Sequence, residues 1–257
     1  MNKTKIKICL ICSPSAGIFD NWLPIIKKLK NETPEVSFSI IFPKIEVSSQ
    51  FHKDGLLYVE MEKIFDEYYS FSYLGDMKKF NSIDEVKIYY FNHQKIIKIL
   101  KKLESKRFIK IFLEFFKSVF RIFFISDKKY NFDAYLLDIL ESSKDYIKKN
   151  IIDSDVPKFS LAHGSNLYFS SKNPLSLKKP KNIVNFLISK KEEDFYSKKF
   201  DLKKEEQIEI GFPRHDNLWI EEILFKEQGK ESWNDYIVVF SRPISDYLPK
   251  ERKFFIV

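Results

Sequence analysis

Residues 182–216 read NIVNFLISKKEEDFYSKKFDLKKEEQIEIGFPRHD, and this stretch decides the fold. The apolar run over residues 182–188 predicts a strand, a charged helix follows through Phe200, and residues 207–210 predict a second strand. A strand, a helix and another strand at this spacing indicate two parallel strands joined by a crossover helix. Because parallel sheets are normally covered by helices on both faces, the stretch predicts an α/β protein.

The same alternation runs along the rest of the chain. Residues 5–12 predict an opening strand, and a helix over residues 20–30, with Pro24 in its first turn, completes the first unit. The further predicted elements are strands over residues 37–42, 55–60, 132–139 and 158–162 and a helix over residues 84–106. For residues 132–139 a longer helix through residue 151 is an alternative. The pattern predicts a Rossmann-like parallel sheet with helices on both faces.

Composition excludes a disordered or a fibrous protein. With 257 residues, 44% of them hydrophobic and 31% charged, the chain is long and apolar enough for a globular core. Cys9 and Cys12 are separated by an odd offset in a predicted strand, which places their thiols on opposite faces. We therefore expect reduced core thiols rather than a redox pair. The apolar run over residues 8–12 is shorter than the core of a secretory signal, which favours a cytoplasmic protein.

Two motifs directly follow predicted strands. His163 and Gly164 come after the strand over residues 158–162, and Gly-Phe-Pro-Arg-His-Asp at residues 211–216 comes after the strand over residues 207–210. Parallel α/β sheets bind ligands outside the carboxyl ends of their strands, so both motifs lie where a site is expected. A third apolar run, residues 236–240, predicts a strand that ends in Ser-Arg-Pro.

The order of these motifs resembles the CDP-glycerol glycerophosphotransferases and related surface-polymer transferases, which have two facing Rossmann-like domains in the GT-B arrangement. In that family a strand leads into His-Gly, a later strand into Gly-x-Pro-Arg-x-Asp, and an apolar strand with a Pro- and Arg-containing turn opens the second domain. The resemblance covers residues 155–243. One departure is that Ser165 and Asn166 follow the His-Gly pair, where the family usually continues with Thr and has a Lys five residues after the His.

The resemblance implies a division of the chain into two parts. Residues 1–230 would form the N-terminal, acceptor-side domain, and residues 231–257 the hinge and first strand of a second domain that is mostly absent. In the family the second domain supplies most of the nucleotide site. We therefore expect this chain to bind an activated donor weakly or not at all.

His163 is the candidate catalytic residue. An unperturbed imidazole titrates near ~6.5, so at neutral pH it is mostly uncharged and can take a proton from an attacking hydroxyl as a general base. Gly164 allows close approach of the backbone, and Ser165 and Asn166 offer hydrogen bonds to a hydroxyl-rich acceptor, so these three are candidate substrate-binding residues. The alternative is a capped histidine at a strand end.

Arg214 is the second candidate substrate-binding residue. Its guanidinium would donate two hydrogen bonds to a phosphate, or would pair with a carboxylate and fix the hinge between domains. Gly211, Pro213 and Asp216 are predicted to form the hinge turn, and Asp216 also fits the cap position of the next helix. His215 is interpreted as a hinge residue rather than a catalyst.

The sequence predicts neither a metal nor a cofactor. His52 and His93 have no partner at the spacing of metal ligands. The glycine-rich dinucleotide fingerprint and the phosphate-binding loop of nucleotide hydrolases are both missing from the sequence, which disfavours those two classes of enzyme.

A basic segment carries the charge imbalance of the chain. Residues 95–129 contain eleven Lys and Arg and three acidic residues, a net +8 equal to that of the whole chain. Within it, residues 108–125 predict a Phe-rich helix with one narrow polar stripe, which indicates a helix lying in the plane of an anionic membrane surface. The membrane-contact candidates are Phe112, Phe115, Phe116, Lys117 and Arg121. Burial against the sheet or a second chain is the alternative, and nucleic acid is disfavoured.

The resemblance to this family implies a transferase of bacterial surface-polymer synthesis. It would use a nucleotide-activated sugar or a CDP-polyol as donor and a growing polymer as acceptor, in the cytoplasm or on the inner face of the plasma membrane. Two other classes stay open. A non-catalytic binding or scaffold protein would place His163 and Arg214 far apart or buried in ordinary salt bridges, and a nucleotide-sugar epimerase would bring Asp138 and Glu141 into the cleft.

Overall fold

The computed structural model describes residues 5–12, 17–52, 55–71, 77–104, 131–138, 151, 154–162 and 179–221. The strands are β1 (Ile6–Ile11), β2 (Val36–Phe42), β3 (Glu67–Phe71), β4 (Met77–Phe80), β5 (Ala134–Leu137), β6 (Lys158–Leu161), β7 (Ile183–Leu187) and β8 (Gln207–Glu209). The α-helices with defined ends are α1 (Gly17–Glu32), α2 (Ile45–Phe51), α3 (Gly55–Ile64), α4 (Ile83–Glu104) and α5 (Glu193–Phe200).

The eight strands form one sheet in the order β4-β3-β2-β1-β5-β6-β7-β8. Every neighbouring pair is parallel except β3 and β4, which run antiparallel. The strand order reverses between β1 and β5, which is the topological switch point where doubly wound sheets open a crevice. The predicted Rossmann-like α/β fold is confirmed.

Helices cover both faces of the sheet. On one face the Trp22 ring of α1 lies 5.9 Å from the ring of Phe186 in β7. On the other face Leu187, the next residue of β7, shares a core cluster with Tyr196 and Phe200 of α5. Because successive side chains of a strand point to opposite faces, α1 and α5 lie on opposite sides of the sheet.

The sequence predicted most of the parallel strands and one long helix correctly. The predicted strands over residues 37–42, 158–162, 182–188 and 207–210 correspond to β2, β6, β7 and β8. Residues 134–137 form a strand, so the strand interpretation of that segment is confirmed. The predicted helix over residues 84–106 is α4.

Helix α1 begins earlier than predicted. It starts at Gly17 rather than residue 20, because Ile18 and Phe19 are buried and extend its apolar face toward the amino end. Pro24 is therefore the eighth residue of the helix, and its placement in the first turn was wrong. A proline at this position has no N–H to donate to the Asp20 carbonyl.

The prediction of a strand over residues 55–60 was wrong, because α3 occupies residues 55–64. Glu60, Met61 and Ile64 are its buried residues, a spacing that belongs to one side of a helix. The short helix α2 and the strands β3 and β4 were not predicted. The sequence of β4 is Met-Lys-Lys-Phe, whose two exposed lysines give no apolar alternation.

Cys9 and Cys12 are buried thiols that form no disulfide, as predicted. Burial raises the pKa of both thiols above the ordinary cysteine value. Cys9 belongs to the core cluster that α5 covers, whereas the backbone N–H of Phe19 in α1 acts on Cys12. Both thiols are therefore held in the unreactive protonated form.

The chain divides into two compact units, Met1–Trp219 and Ile220–Val257. The first unit contains the whole sheet, and of the second only residues 220 and 221 are described. The predicted domain boundary at residue 230 and the strand over residues 236–240 lie outside the described residues and stay predictions. Within the described residues no helix combines the length and apolar character needed to cross a bilayer.

Lys158, the first residue of β6, is fully buried. Its Nζ donates hydrogen bonds to the carbonyl oxygens of Ser154 at 2.6 Å, Val156 at 2.8 Å and Lys181 at 2.9 Å. A buried ammonium is costly unless it is hydrogen-bonded, and here three carbonyls receive its protons. The side chain therefore joins the segments that precede β6 and β7.

Replacing Lys158 with Met should lower the free energy of unfolding by about 3 kcal/mol, because three carbonyls lose a charged donor. Urea denaturation followed by circular dichroism measures the change. Lys181→Met is the matched control: the exposed Lys181 pairs with the exposed Asp155 at 3.1 Å, so its loss should cost less than about 1 kcal/mol. Equal effects of the two substitutions would contradict a structural role for the buried ammonium.

Candidate functional site

The carboxyl ends of β6 and β8 lie on the same edge of the sheet. Both strands are parallel to β7, which lies between them. Ala162 follows β6 and Gly211 follows β8 after one intervening residue, so the two sequence motifs begin at this common edge. This is the edge at which doubly wound sheets bind their ligands.

Three consecutive residues of α1 contact the ends of β5 and β6 and the segment that follows β8. The Asn21 Nδ2 donates to the carbonyl oxygen of Ala162 at 2.6 Å, and the Trp22 Nε1 donates to the carbonyl oxygen of Leu137 at 3.1 Å. The Asp20 carboxylate lies 3.7 Å from a terminal guanidinium nitrogen of Arg214. One turn of α1 therefore links the ends of β5 and β6 to the segment that follows β8.

The segment from Gly211 to Asp216 is a tight turn with a local role for each of its special residues. Gly211 has a φ of +76°, a conformation that side chains disfavour, and its N–H lies 3.3 Å from the carbonyl of Leu187. Pro213 opens a 3-10 turn, Pro213–His215. The Asp216 carboxylate accepts a hydrogen bond from the Leu218 N–H at 3.0 Å, which confirms the predicted cap. Their function as a hinge between domains stays a prediction.

Arg214 lies at this edge in a partly solvated environment. Its side chain is 30% exposed and that of Asp20 is 32% exposed. The guanidinium carbon is 5.4 Å from the ring centroid of Phe212, and the Nε is buried without a hydrogen-bond partner among the described residues. The carboxylate contact that the sequence allowed is present. Because this contact is long and partly exposed, the Arg214 guanidinium keeps N–H donors that can bind an anion.

The His-Gly motif lies outside the described residues. His163, Gly164, Ser165 and Asn166 all follow Ala162 directly, so the described structure fixes the point from which this segment leaves the sheet. Glu141 and the membrane-contact candidates Phe112, Phe115, Phe116, Lys117 and Arg121 also fall outside the described residues. Their roles stay predictions.

No motif in the sequence singles out Asp20, Asn21 and Trp22. They lie in the first half of α1. The sequence predicts a helix after β1, but it does not predict how that helix packs across the other strands. The one available signal is that Asn21 interrupts the otherwise apolar buried face of α1. A buried amide in such a face indicates a specific hydrogen bond, here the one to Ala162.

Asp138 is a buried acidic residue at the end of β5. Its carbonyl lies 3.4 Å from the hydroxyl of Ser160 in β6. Burial is the main cause of the raised pKa of Cys12, the Phe19 N–H opposes it, and the negative charge of Asp138 adds to it. Asp138 therefore lies close to Cys12 at the switch point between β1 and β5.

The described residues contain no group of three or more His, Cys, Asp and Glu side chains that would hold a metal ion. The ring nitrogens of His52 and His93 have no hydrogen-bond partner within the part of the chain described. Burial lowers the pKa of His52 and keeps its ring neutral.

Fold and edge geometry together define a Rossmann-like α/β protein with polar groups gathered at the carboxyl edge of its sheet. A comparison with models of known protein families gave no match, and a search of the curated proteins gave none.

The energetic coupling between Asp20 and Arg214 distinguishes an anion-binding arginine from a structural lock. Because both side chains are about one-third exposed and 3.7 Å apart, we expect a coupling energy below about 1 kcal/mol. The measurement is a double-mutant cycle of Asp20→Asn and Arg214→Gln by urea denaturation. A coupling above about 2 kcal/mol would assign Arg214 to fixing the turn.

Proposed function

We propose that this chain is the acceptor-side domain of a GT-B-like transferase, which extends a bacterial-type surface polymer from a nucleotide-activated sugar or CDP-polyol. The observation that carries the proposal is the junction at α1. Asn21 bonds to the residue before His163, and its neighbour Asp20 contacts Arg214. A general-base candidate and a phosphate-binding candidate thus leave the sheet beside the same turn of one helix.

In the proposed reaction His163 takes the proton of an acceptor hydroxyl as its oxygen attacks the activated carbon or phosphorus of the donor. The new bond to the acceptor oxygen forms while the bond to the nucleotide breaks, and the electron pair leaves with the nucleotide phosphate. Arg214 stabilises the negative charge that develops there. Ser165 and Asn166 bind acceptor hydroxyls, and Gly164 lets the backbone approach them.

Two observations bear on the alternative functions. Asp138 and Asp20 are acidic groups at the carboxyl edge, which is what a nucleotide-sugar epimerase requires of this fold. A scaffold protein would use an ion pair of Arg214 to hold its structure, and such a pair is expected to be buried. The ion pair between Arg214 and Asp20 is partly exposed. The transferase proposal uses the exposed donors of Arg214, which the scaffold alternative leaves without a role.

Substituting His163 with Ala should lower turnover by about 100-fold or more, because the general base is removed. The assay incubates the full chain with millimolar-range CDP-glycerol, CDP-ribitol or nucleotide sugars and a glycerol-phosphate oligomer, and follows the released nucleotide. His52→Gln is the matched control, since His52 belongs to the turn after α2 and should leave turnover unchanged. Turnover that is the same in His163→Ala as in the unsubstituted chain would remove His163 from the mechanism.

We further propose that the protein binds the surface of anionic membranes, where a polymer-extending enzyme meets its acceptor. Among the described residues, the support for this proposal is the exposed side of α4. Ile88 is 62% exposed and Phe91 54% exposed, and the exposed Lys95 and Lys98 continue the same side of the helix. An apolar patch followed by lysines fits a surface with acyl chains beneath anionic head groups.

Phe91→Asp should weaken membrane binding about tenfold, because an apolar ring that enters the acyl boundary is replaced by a charge that anionic lipids repel. Flotation with phosphatidylcholine vesicles, with and without phosphatidylglycerol, measures the bound fraction. Leu218→Asp is the control, since Leu218 is 76% exposed but lies after the turn that follows β8. Phe115→Asp tests the predicted Phe-rich helix in the same assay. A bound fraction that changes neither with phosphatidylglycerol nor with Phe91→Asp would contradict the proposal.

A further inference from the structure

Asp20 and Arg214 form an ion pair whose members are too far apart for a hydrogen bond. The Asp20 carboxylate lies 3.7 Å from a terminal guanidinium nitrogen. A charge-assisted hydrogen bond between such groups has a length of about 2.7–2.9 Å. Asp20 therefore compensates the charge of Arg214 without taking up the donors of that nitrogen. The two side chains are 32% and 30% exposed, so a ligand can reach both groups from the solvent.

The backbone on each side of this pair is fixed. Asp20 belongs to α1, and the residues directly before and after it in the chain are fully buried. The turn Pro213–His215, which carries Arg214, is closed by two backbone hydrogen bonds of 3.0 Å. The guanidinium carbon also lies 5.4 Å from the ring centroid of Phe212. The carboxylate and the guanidinium are thus held as neighbours, and side-chain rotation is what changes their separation.

An anion that binds Arg214 has to lie beside the Asp20 carboxylate. A phosphate that accepts two parallel hydrogen bonds from the guanidinium brings its oxygens close to this carboxylate, and the two negative charges repel each other. A ligand offsets the repulsion when it also brings a hydrogen-bond donor to Asp20. A hydroxyl is such a donor, and the two oxygens of a carboxylate accept several hydrogen bonds at once.

We infer that Asp20 is a specificity-determining residue, which makes Arg214 select phosphate esters that carry a hydroxyl beside the phosphate. The inference rests on the proposed function, in which Arg214 binds the phosphate of an activated donor. Polyol phosphates and sugar phosphates carry hydroxyls close to the phosphate, so they satisfy both members of the pair. An alkyl phosphate satisfies Arg214 alone and leaves the repulsion by Asp20 without compensation.

The test compares two phosphate esters of equal carbon number, glycerol 3-phosphate and propyl phosphate. The five arginine Nε–Hε signals of the isotope-labelled full chain are resolved by NMR, and that of Arg214 is assigned with Arg214→Gln. We expect glycerol 3-phosphate to shift the Arg214 signal with a Kd about tenfold lower than that of propyl phosphate, because its hydroxyl bonds to a charged group.

Asp20→Ala removes both the repulsion and the hydrogen-bond acceptor. Propyl phosphate should therefore bind about threefold more tightly than in the unsubstituted chain, and the two esters should differ by less than about twofold in Kd.

Asp155→Ala is the matched control. Asp155 is an exposed carboxylate that pairs with Lys181 at 3.1 Å. It lies before β6, whereas Arg214 lies after the parallel strand β8, so the two residues are at opposite edges of the sheet. This substitution removes the same charge as Asp20→Ala, and it should leave both Kd values unchanged within about twofold.

The outcomes separate the inference from the proposed function. A preference for glycerol 3-phosphate that Asp20→Ala removes and Asp155→Ala keeps supports the inference. The inference is overturned if the unsubstituted chain has no such preference, if Asp20→Ala leaves it unchanged, or if Asp155→Ala removes it equally. Shifts of the Arg214 signal by both esters would then still support the phosphate site of the proposed function. An Arg214 signal that neither ester shifts contradicts both. If Asp20→Ala fails to fold, Asp20→Asn removes the charge and keeps the shape of the side chain.

Discussion

The hydrogen bond from Asn21 to the carbonyl of Ala162 joins two parts of the sheet that the chain order keeps apart. Helix α1 follows β1, whereas Ala162 ends β6, and the switch in strand order lies between them. With the bond from Trp22 to Leu137, it holds α1 across the ends of β5 and β6. The same placement of α1 brings Asp20 beside Arg214, in the segment that follows β8.

Strand β6 is fixed at both of its ends by side chains rather than by the sheet alone. At its beginning Lys158 donates to three carbonyls, and just after its end the Ala162 carbonyl accepts a hydrogen bond from the Nδ2 of Asn21. A four-residue strand has few ladder hydrogen bonds of its own, so these contacts contribute much of its definition. A strand that carries a candidate catalytic residue at its end needs this kind of support, because its position has to be kept within fractions of an ångström.

The sequence was most informative where apolar runs ended in turn residues, as in β6, β7 and β8. It failed for α3, because a short apolar run fits a strand and a buried helix equally well, and for β4, whose lysines hide its pairing with β3. The edge on which the motifs lie followed from the parallel strands. The partners Asp20 and Asn21 did not, because a contact between residues so far apart in the chain depends on how α1 packs across the sheet, which local patterns do not encode.

The antiparallel strand β4 closes one side of the sheet with a charged surface. Its outer edge is the last in the strand order, and its two central residues, Lys78 and Lys79, are both exposed. Unpaired backbone groups at a sheet edge recruit strands from other molecules, and lysines on that edge oppose such recruitment through repulsion and the cost of losing hydration. This edge of the sheet thus gains resistance to aggregation from a strand of only four residues.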